Sequence, residues 1–334
     1  MIKKIFSTLW KLVIASAVLL FIASHFSSVI HSFAMRYVTH PIRGFYAALF
    51  NTVSFPAFEI GAVILLISIP FFIWRYLYGI GSLKPLVVVL EFIILGYFVT
   101  VGIDGAIPYK AEEGSVADEG YSAALDNISD ELSDISKDLP EEITVSDTII
   151  RQLSADYAYR VLDRHITHIP KIKRTVFPVL LKKLGTKAYY APVTAEVILD
   201  PEIPGVCSPY VSMHELMHFF GIMEEDGAIY HAIRAMVELG SAEIRYSALL
   251  EAFVRVGDKV YSNAPEKYLE IYGKLPPRVK KDVEEKLTSI NKSELGDVLN
   301  DKAIALRDKR GGASYGSSAE LLASYFVRYR TAAR

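Results

Sequence analysis

Three apolar runs in the first hundred residues limit what this chain can become. They extend from Ile5 to about Ser27, from Ala57 to Trp74 and from Pro85 to Val101. Each comes close to the ~20 residues that a helix needs to cross a hydrocarbon layer about 30 Å thick. The second and third runs hold no internal lysine or arginine, although Glu59 lies near the start of one and Glu91 inside the other. They account for a composition that is 51% hydrophobic, too apolar for an ordinary soluble protein. Lys3, Lys4 and Lys11 flank the first run. A signal peptide has the same layout, but with two spans following we read the run as an uncleaved anchor. Three crossings put the two ends of the chain on opposite sides of the bilayer. Arg75 and Lys84 in the loop between the second and third spans, with the N-terminal lysines, favour those segments inside. Arg36 and Arg43 in the first loop weigh the other way. The balance places everything after Val101 outside the cytoplasm.

The expected division is a membrane domain over 1–108 and an extracytoplasmic domain over 109–334, a normal single-domain size. The net charge of −2 and the absence of a basic stripe exclude nucleic acid as a partner. One cysteine, Cys207, rules out an intrachain disulfide framework and a thiolate-rich zinc site. Between Ala111 and Glu142 the chain is acidic. Leu125, Ile128, Leu132 and Ile135 recur there at helical spacing and predict an amphipathic helix ended by Pro140. A second helix is predicted over Ser146–Arg164, capped at Ser146 or Asp147, and a short one over Phe177–Leu184. His165 and His168 read as surface residues. Ala188–Leu199, rich in Tyr, Val, Thr and Ile, reads as extended chain, and Pro192 suits an edge.

The chemistry concentrates in Pro209–Asp226, PYVSMHELMHFFGIMEED. His214-Glu215-Leu216-Met217-His218 is the HExxH pattern of zinc peptidases. On a helix, residues four apart share a face, so both imidazoles can reach one metal ion at roughly 2.0–2.1 Å. Glu215 projects beside the ion, where it can take a proton from a water whose pKa the metal lowers to about 7. Val211, Met213, Leu216, Met217, Phe219 and Phe220 make the helix apolar, so it is expected to be buried. Buried histidines and a carboxylate need a partner, and a metal supplies one. Gly221 can break the helix, and Glu224, Glu225 and Asp226 follow where a third ligand is required. Glu224 completes the spacing HExxHxxGxxE, and Glu225 stands beside it. Helices are predicted over Ala228–Glu238, Ser241–Val256, much of Glu266–Arg310 and Ser317–Arg330. Glu243 and Glu251 are expected at the surface. Tyr189, Tyr190 and Tyr315 are candidates to donate to a developing oxyanion.

YYAPVTAE (Tyr189–Glu196), SPYVSMHELMHFFG (Ser208–Gly221), IRYSALLEAF (Ile244–Phe253) and SYG (Ser314–Gly316) together resemble a bacterial family of unknown function, number 3810 in the domain-of-unknown-function series. The resemblance covers nearly the whole chain. It implies three N-terminal spans followed by an HExxH domain, and says little about substrate. Where that family reads E-D-E-A-N, this chain has Glu225-Asp226-Gly227-Ala228-Ile229. The pattern is similar to that of the glutamate zincins, which implies Glu225 as third ligand and the loss at Ile229 of a group that steadies a histidine.

The expected architecture is therefore α+β, mainly α. Three N-terminal transmembrane helices precede a zincin-like metallopeptidase domain with a small edge-strand sheet. Its metal is Zn2+, held by His214, His218 and Glu225, with Glu215 as general base. Its partners are a lipid bilayer and a protein or peptide substrate, with no oligomeric state implied. The alternative is a non-catalytic zinc-binding sensor or scaffold. Intramembrane cleavage fits poorly, because Ser208, Ser212 and the acidic run interrupt the apolar stretch around the motif. A reporter fused after Arg334 should be active outside the cytosol, and activity confined to the cytosol would reverse the orientation.

Overall fold

The computed structural model describes residues 2–106, 118–289 and 318–332. The N-terminal third is helical: α1 (Ile2–Phe26), α2 (Ser28–Ala34), α3 (His40–Phe50), α4 (Ala57–Leu77) and α5 (Lys84–Tyr97). Three windows, Thr8–Phe26, Ala57–Leu77 and Lys84–Gly102, are long and apolar enough to cross a membrane. Trp10 Nε1 donates to Glu91 at 2.8 Å, which satisfies the one carboxylate inside the third run. The Trp10 ring lies 4.3 Å from that of Phe92, and Phe21 lies 5.2 Å from Phe98. Contacts that advance together along both helices show that α1 and α5 run in the same direction.

Residues 28–50, expected to be a loop, are helical throughout. α2 and α3 are joined by a π turn over Met35–Thr39. The Ser27 hydroxyl caps the start of α2, accepting from Ile30 N at 3.3 Å. Arg36, His40 and Arg43 hide this helix from a reading of hydropathy alone. His40 and Arg43 belong to its buried face, with Ala34, Met35, Gly44 and Ala47, while Val29, Phe33, Tyr37, Phe45 and Leu49 are exposed.

The rest of the chain surrounds the motif helix. In order come α6 (Asp118–Ile135), α7 (Asp147–Arg160), β1 (Ile172–Arg174), α8 (Pro178–Leu184), β2 (Ala188–Ala191), β3 (Glu196–Leu199), α9 (Ser208–Phe219), α10 (Glu225–Leu239), α11 (Ala242–Asn263), α12 (Pro265–Lys274), α13 (Pro277–Ser289) and α14 (Ser318–Ala332). α6 buries Leu125, Ile128 and Leu132 completely, as their spacing predicts. Ser146 caps α7 by accepting from Thr148 N. The stretch read as extended chain is a hairpin, β2 antiparallel to β3, with Ala195 at φ 51° in the turn. β1 runs parallel to β3, giving the order β1-β3-β2 and leaving β2 at an edge. β1 is three residues long, two of them charged, and too short for any periodicity to reveal it. α9 occupies the centre, packed on α7, α10, α11 and the β2–β3 hairpin. Its Met213, Leu216, Met217 and Phe219 are fully buried.

Buried polar contacts join the apolar helices to this domain. Glu196 of β3 accepts from Ala57 N (2.9 Å) and Phe58 N (2.7 Å), two of the donors that the first turn of α4 leaves open. Lys173 of β1 neutralises Glu196 at 2.5 Å and donates to the carbonyls of Phe50 and Phe55. Arg43, fully buried, pairs with buried Asp104. It also donates to Thr100 O beyond α5 (2.5 Å) and to Phe219 O at the end of α9 (2.9 Å). Gly221 fits beside this pair because it lacks a side chain. A Cβ there would stand 3.1 Å from Arg43 and from Asp104, and its φ of +97° favours glycine. Replacing Arg43 by leucine should destabilise the protein by about 3–5 kcal/mol, because Asp104 would stay buried and unpaired. Arg36→Ala, at an exposed position, should change stability by about 0.5 kcal/mol or less. Thermal unfolding in detergent compares the two variants directly.

Candidate metal centre

α9 ends at Phe219, and the left-handed Gly221 turns the chain back so that α10 starts against the motif face. This turn sets the ligand geometry. His214 Nε2 and His218 Nε2 lie 3.2 Å apart. Glu225 places Oε2 3.3 Å from His214 Nε2 and Oε1 3.6 Å from His218 Nε2. Three atoms coordinated at about 2.0–2.1 Å around a tetrahedral ion stand roughly 3.3 Å from one another. The donor set of two imidazoles and one carboxylate therefore fits zinc in both chemistry and spacing. The histidine side chains are 14% and 10% exposed and Glu225 is 41% exposed, so the cluster opens to solvent on the Glu225 side.

The turn also orients one histidine. His218 Nδ1 lies 2.7 Å from Ile222 O and donates its proton there, which leaves the Nε2 lone pair facing the cluster. A main-chain carbonyl thus steadies this ring, a contact invisible in a side-chain motif. Buried His214 Nδ1 has no hydrogen-bond partner among the described residues, and Ile229 lies in the core, 4% exposed.

α10 begins three residues earlier than its apolar periodicity suggests, because Glu225 and Asp226 occupy its first turn, where the helix dipole favours acids. Glu224 is the N-cap residue with extended backbone, outside the cluster of His214, His218 and Glu225. Asp226 turns to α14 and accepts from Ser318 N at 2.8 Å.

Burial raises the Glu215 pKa, opposed by the neighbouring His214 and His218 and by the backbone N–H of Tyr190 on β2, which donates to it. Burial would lower the His218 pKa, but the Glu225 carboxylate outweighs it and the net shift is upward. Burial would raise the Glu225 pKa, but the two imidazoles hold it far below the usual carboxylate range. A cation bound here must displace the proton that His218 shares with Glu225, so loading weakens as pH falls.

The Tyr189 hydroxyl donates to Glu59 at 2.8 Å, and the half-buried Tyr190 side chain lies beside Arg43, so both engage groups of the N-terminal helices. Tyr315 lies outside the described residues. His165 and His168 are exposed and pair with Asp163 and Thr167. Glu251, expected at the surface, is 5% exposed. Burial raises its pKa, but Arg255 at 2.5 Å and Lys286 of α13 bring it down to about 2. Arg255 also hydrogen-bonds Tyr210, whose ring is 6.0 Å from that of His214. The i,i+4 spacing of Glu251 and Arg255 is readable in the sequence, whereas Lys286 arrives from a remote helix.

A family model described as a protein of unknown function (DUF3810) matches residues 35–323. No curated protein and no solved structure gives a significant match. If Glu225 is a ligand, Glu225→Ala should weaken zinc binding by more than the roughly 10–100-fold typical of losing an outer partner. Glu224→Ala should leave it nearly unchanged. Metal analysis after equilibrium dialysis reads both, and the opposite order would reassign the ligand.

Proposed function

This chain belongs to the DUF3810 family of proteins of unknown function, and we propose that it is a membrane-anchored, zinc-dependent metallopeptidase. The observation that carries this reading is the convergence of His214 Nε2, His218 Nε2 and a Glu225 carboxylate oxygen within 4.8 Å of one another. His214, His218 and Glu225 would hold the ion. Among the described residues the cluster offers three protein ligands, the number that catalytic zinc sites use, whereas structural sites take four. This favours hydrolysis over the scaffold reading. Bound zinc supplies Lewis acidity, which polarises the scissile carbonyl and brings the pKa of water to about 7.

Glu215 is the proton carrier. It stands next to His214 in sequence, is 7% exposed and has a raised pKa. A carboxylate tuned upward accepts a proton from the attacking water and releases it to the departing amine. The backbone N–H of Tyr190 opposes the upward shift and so helps to keep the Glu215 carboxylate ionised in the resting site. Because that donor belongs to edge strand β2, an extended peptide running along the strand would pass beside the base. The soluble face of the protein is proposed to lie outside the cytoplasm. Substituting Glu215 by glutamine should leave zinc content at the wild-type level and reduce peptide release by about 10²-fold or more, the lower range for a lost acid–base group. Comparison of peptides released from a proteome digest by the two proteins makes the measurement, and undiminished cleavage by the variant would remove this mechanism.

A further inference from the structure

The segment Val176–Leu180 carries an apolar surface that the site does not use. Val176, Phe177, Val179 and Leu180 are 45%, 37%, 66% and 52% exposed. Leu181, only 3% exposed, roots the short helix α8 in the protein. The position of this surface is set by α4. Glu59 stands in the first turn of α4, two residues inside the apolar window that begins at Ala57. Its carboxylate accepts from Thr175 Oγ1 at 2.5 Å and from Val176 N at 2.8 Å. The connection from β1 into α8 is thus bonded to the very start of an apolar span. A seven-residue helix is about 10 Å long. Interfacial helices sit about 5–10 Å deep, and the headgroup layer is of similar thickness. No part of α8 can therefore lie far from the level at which α4 would enter lipid. Phe55, 49% exposed just before α4, extends the same apolar rim.

We propose that Val176, Phe177, Val179 and Leu180 dock in the interface of the bilayer that α4 crosses. The occupant of this surface is lipid, because the patch continues the apolar surface of α4 through two hydrogen bonds to one carboxylate. Docking there also sets the height of the metal centre. The Tyr189 hydroxyl shares Glu59, and the next residue, Tyr190, donates its N–H to Glu215. The candidate base is then held one strand residue from the membrane boundary, and the soluble domain is seated on the bilayer at a second point besides its spans. This inference concerns placement and does not depend on peptidase activity.

The test uses the full chain, with buried Cys207 replaced by alanine, in phosphatidylcholine–phosphatidylglycerol vesicles. Single cysteines at Val179 and Leu180 carry a spin label. Leu66 on the exposed face of α4 serves as the lipid reference and Leu269 on α12 as the water reference, at 71% and 58% exposure. Collision with oxygen and with a water-soluble nickel chelate is read by power saturation. Labels at 179 and 180 should meet oxygen readily and nickel severalfold less than the label at 269, approaching the pattern at 66. Nickel access equal to that at 269 would overturn the proposal. Shielding from both reagents, or shielding that vanishes as protein is diluted in lipid, would also overturn it by showing that protein covers the patch. Two neighbouring exposed positions guard against a single label that disturbs folding.

Discussion

A guanidinium removed from water needs a counter-charge and hydrogen-bond acceptors, and Arg43 finds both at the point where three segments meet. Asp104 neutralises it, Thr100 O takes one hydrogen bond and Phe219 O takes another. Phe219 is the last residue of the motif helix, directly after His218. The end of α9, the end of the third apolar run and the buried face of α3 are thereby held to one another by charge in a dry environment. Removing any member leaves a charge or a carbonyl exposed to low dielectric, which costs far more than an ordinary surface contact. Glu196 does the same at the start of α4, where it accepts two open backbone donors. The motif helix is thus part of a frame that includes the apolar helices.

The geometry of the candidate metal centre follows from that frame. Gly221 lies against Arg43 and Asp104 and takes a left-handed φ. The turn it makes offers the Ile222 carbonyl to His218 and returns Glu225 to the two imidazoles. Two imidazoles, 14% and 10% exposed, are gathered there with a carboxylate that faces solvent, an arrangement with room for a cation between them. Glu215 is carried by the same helix, which packs on edge strand β2. Buried Glu251, Arg255 and Lys286 support the start of α9 through Tyr210.

Much of this was legible before any coordinates. Apolar runs at 57–74 and 85–101 appear as α4 and the α5 span, and the leucine and isoleucine spacing of α6 matches its buried stripe. Other parts were hidden for identifiable reasons. The helix over 28–50 places His40 and Arg43 inside, so its polar residues read as a loop. The strand β1 is too short for a period to show. Glu251 reads as surface because its second cation lies on α13. The steadying of His218 comes from a carbonyl, which every residue possesses and no motif marks.

The sequence by itself determined local matters. It set which stretches are apolar enough to span, which helix carries two histidines four residues apart, and that a glycine followed by acids comes next. These depend on neighbours within a few turns, where helical geometry is fixed. Residue spacing left Glu224 and Glu225 both open, the family resemblance implied Glu225, and the tertiary structure places Glu225 against both imidazoles. That placement depends on where α10 begins and on how Gly221 packs against Arg43 and Asp104, residues more than a hundred positions away. A one-residue shift rotates a helical side chain by about 100°, so spacing along the chain cannot say which acid points inward, and the assembled frame supplies the physical reason.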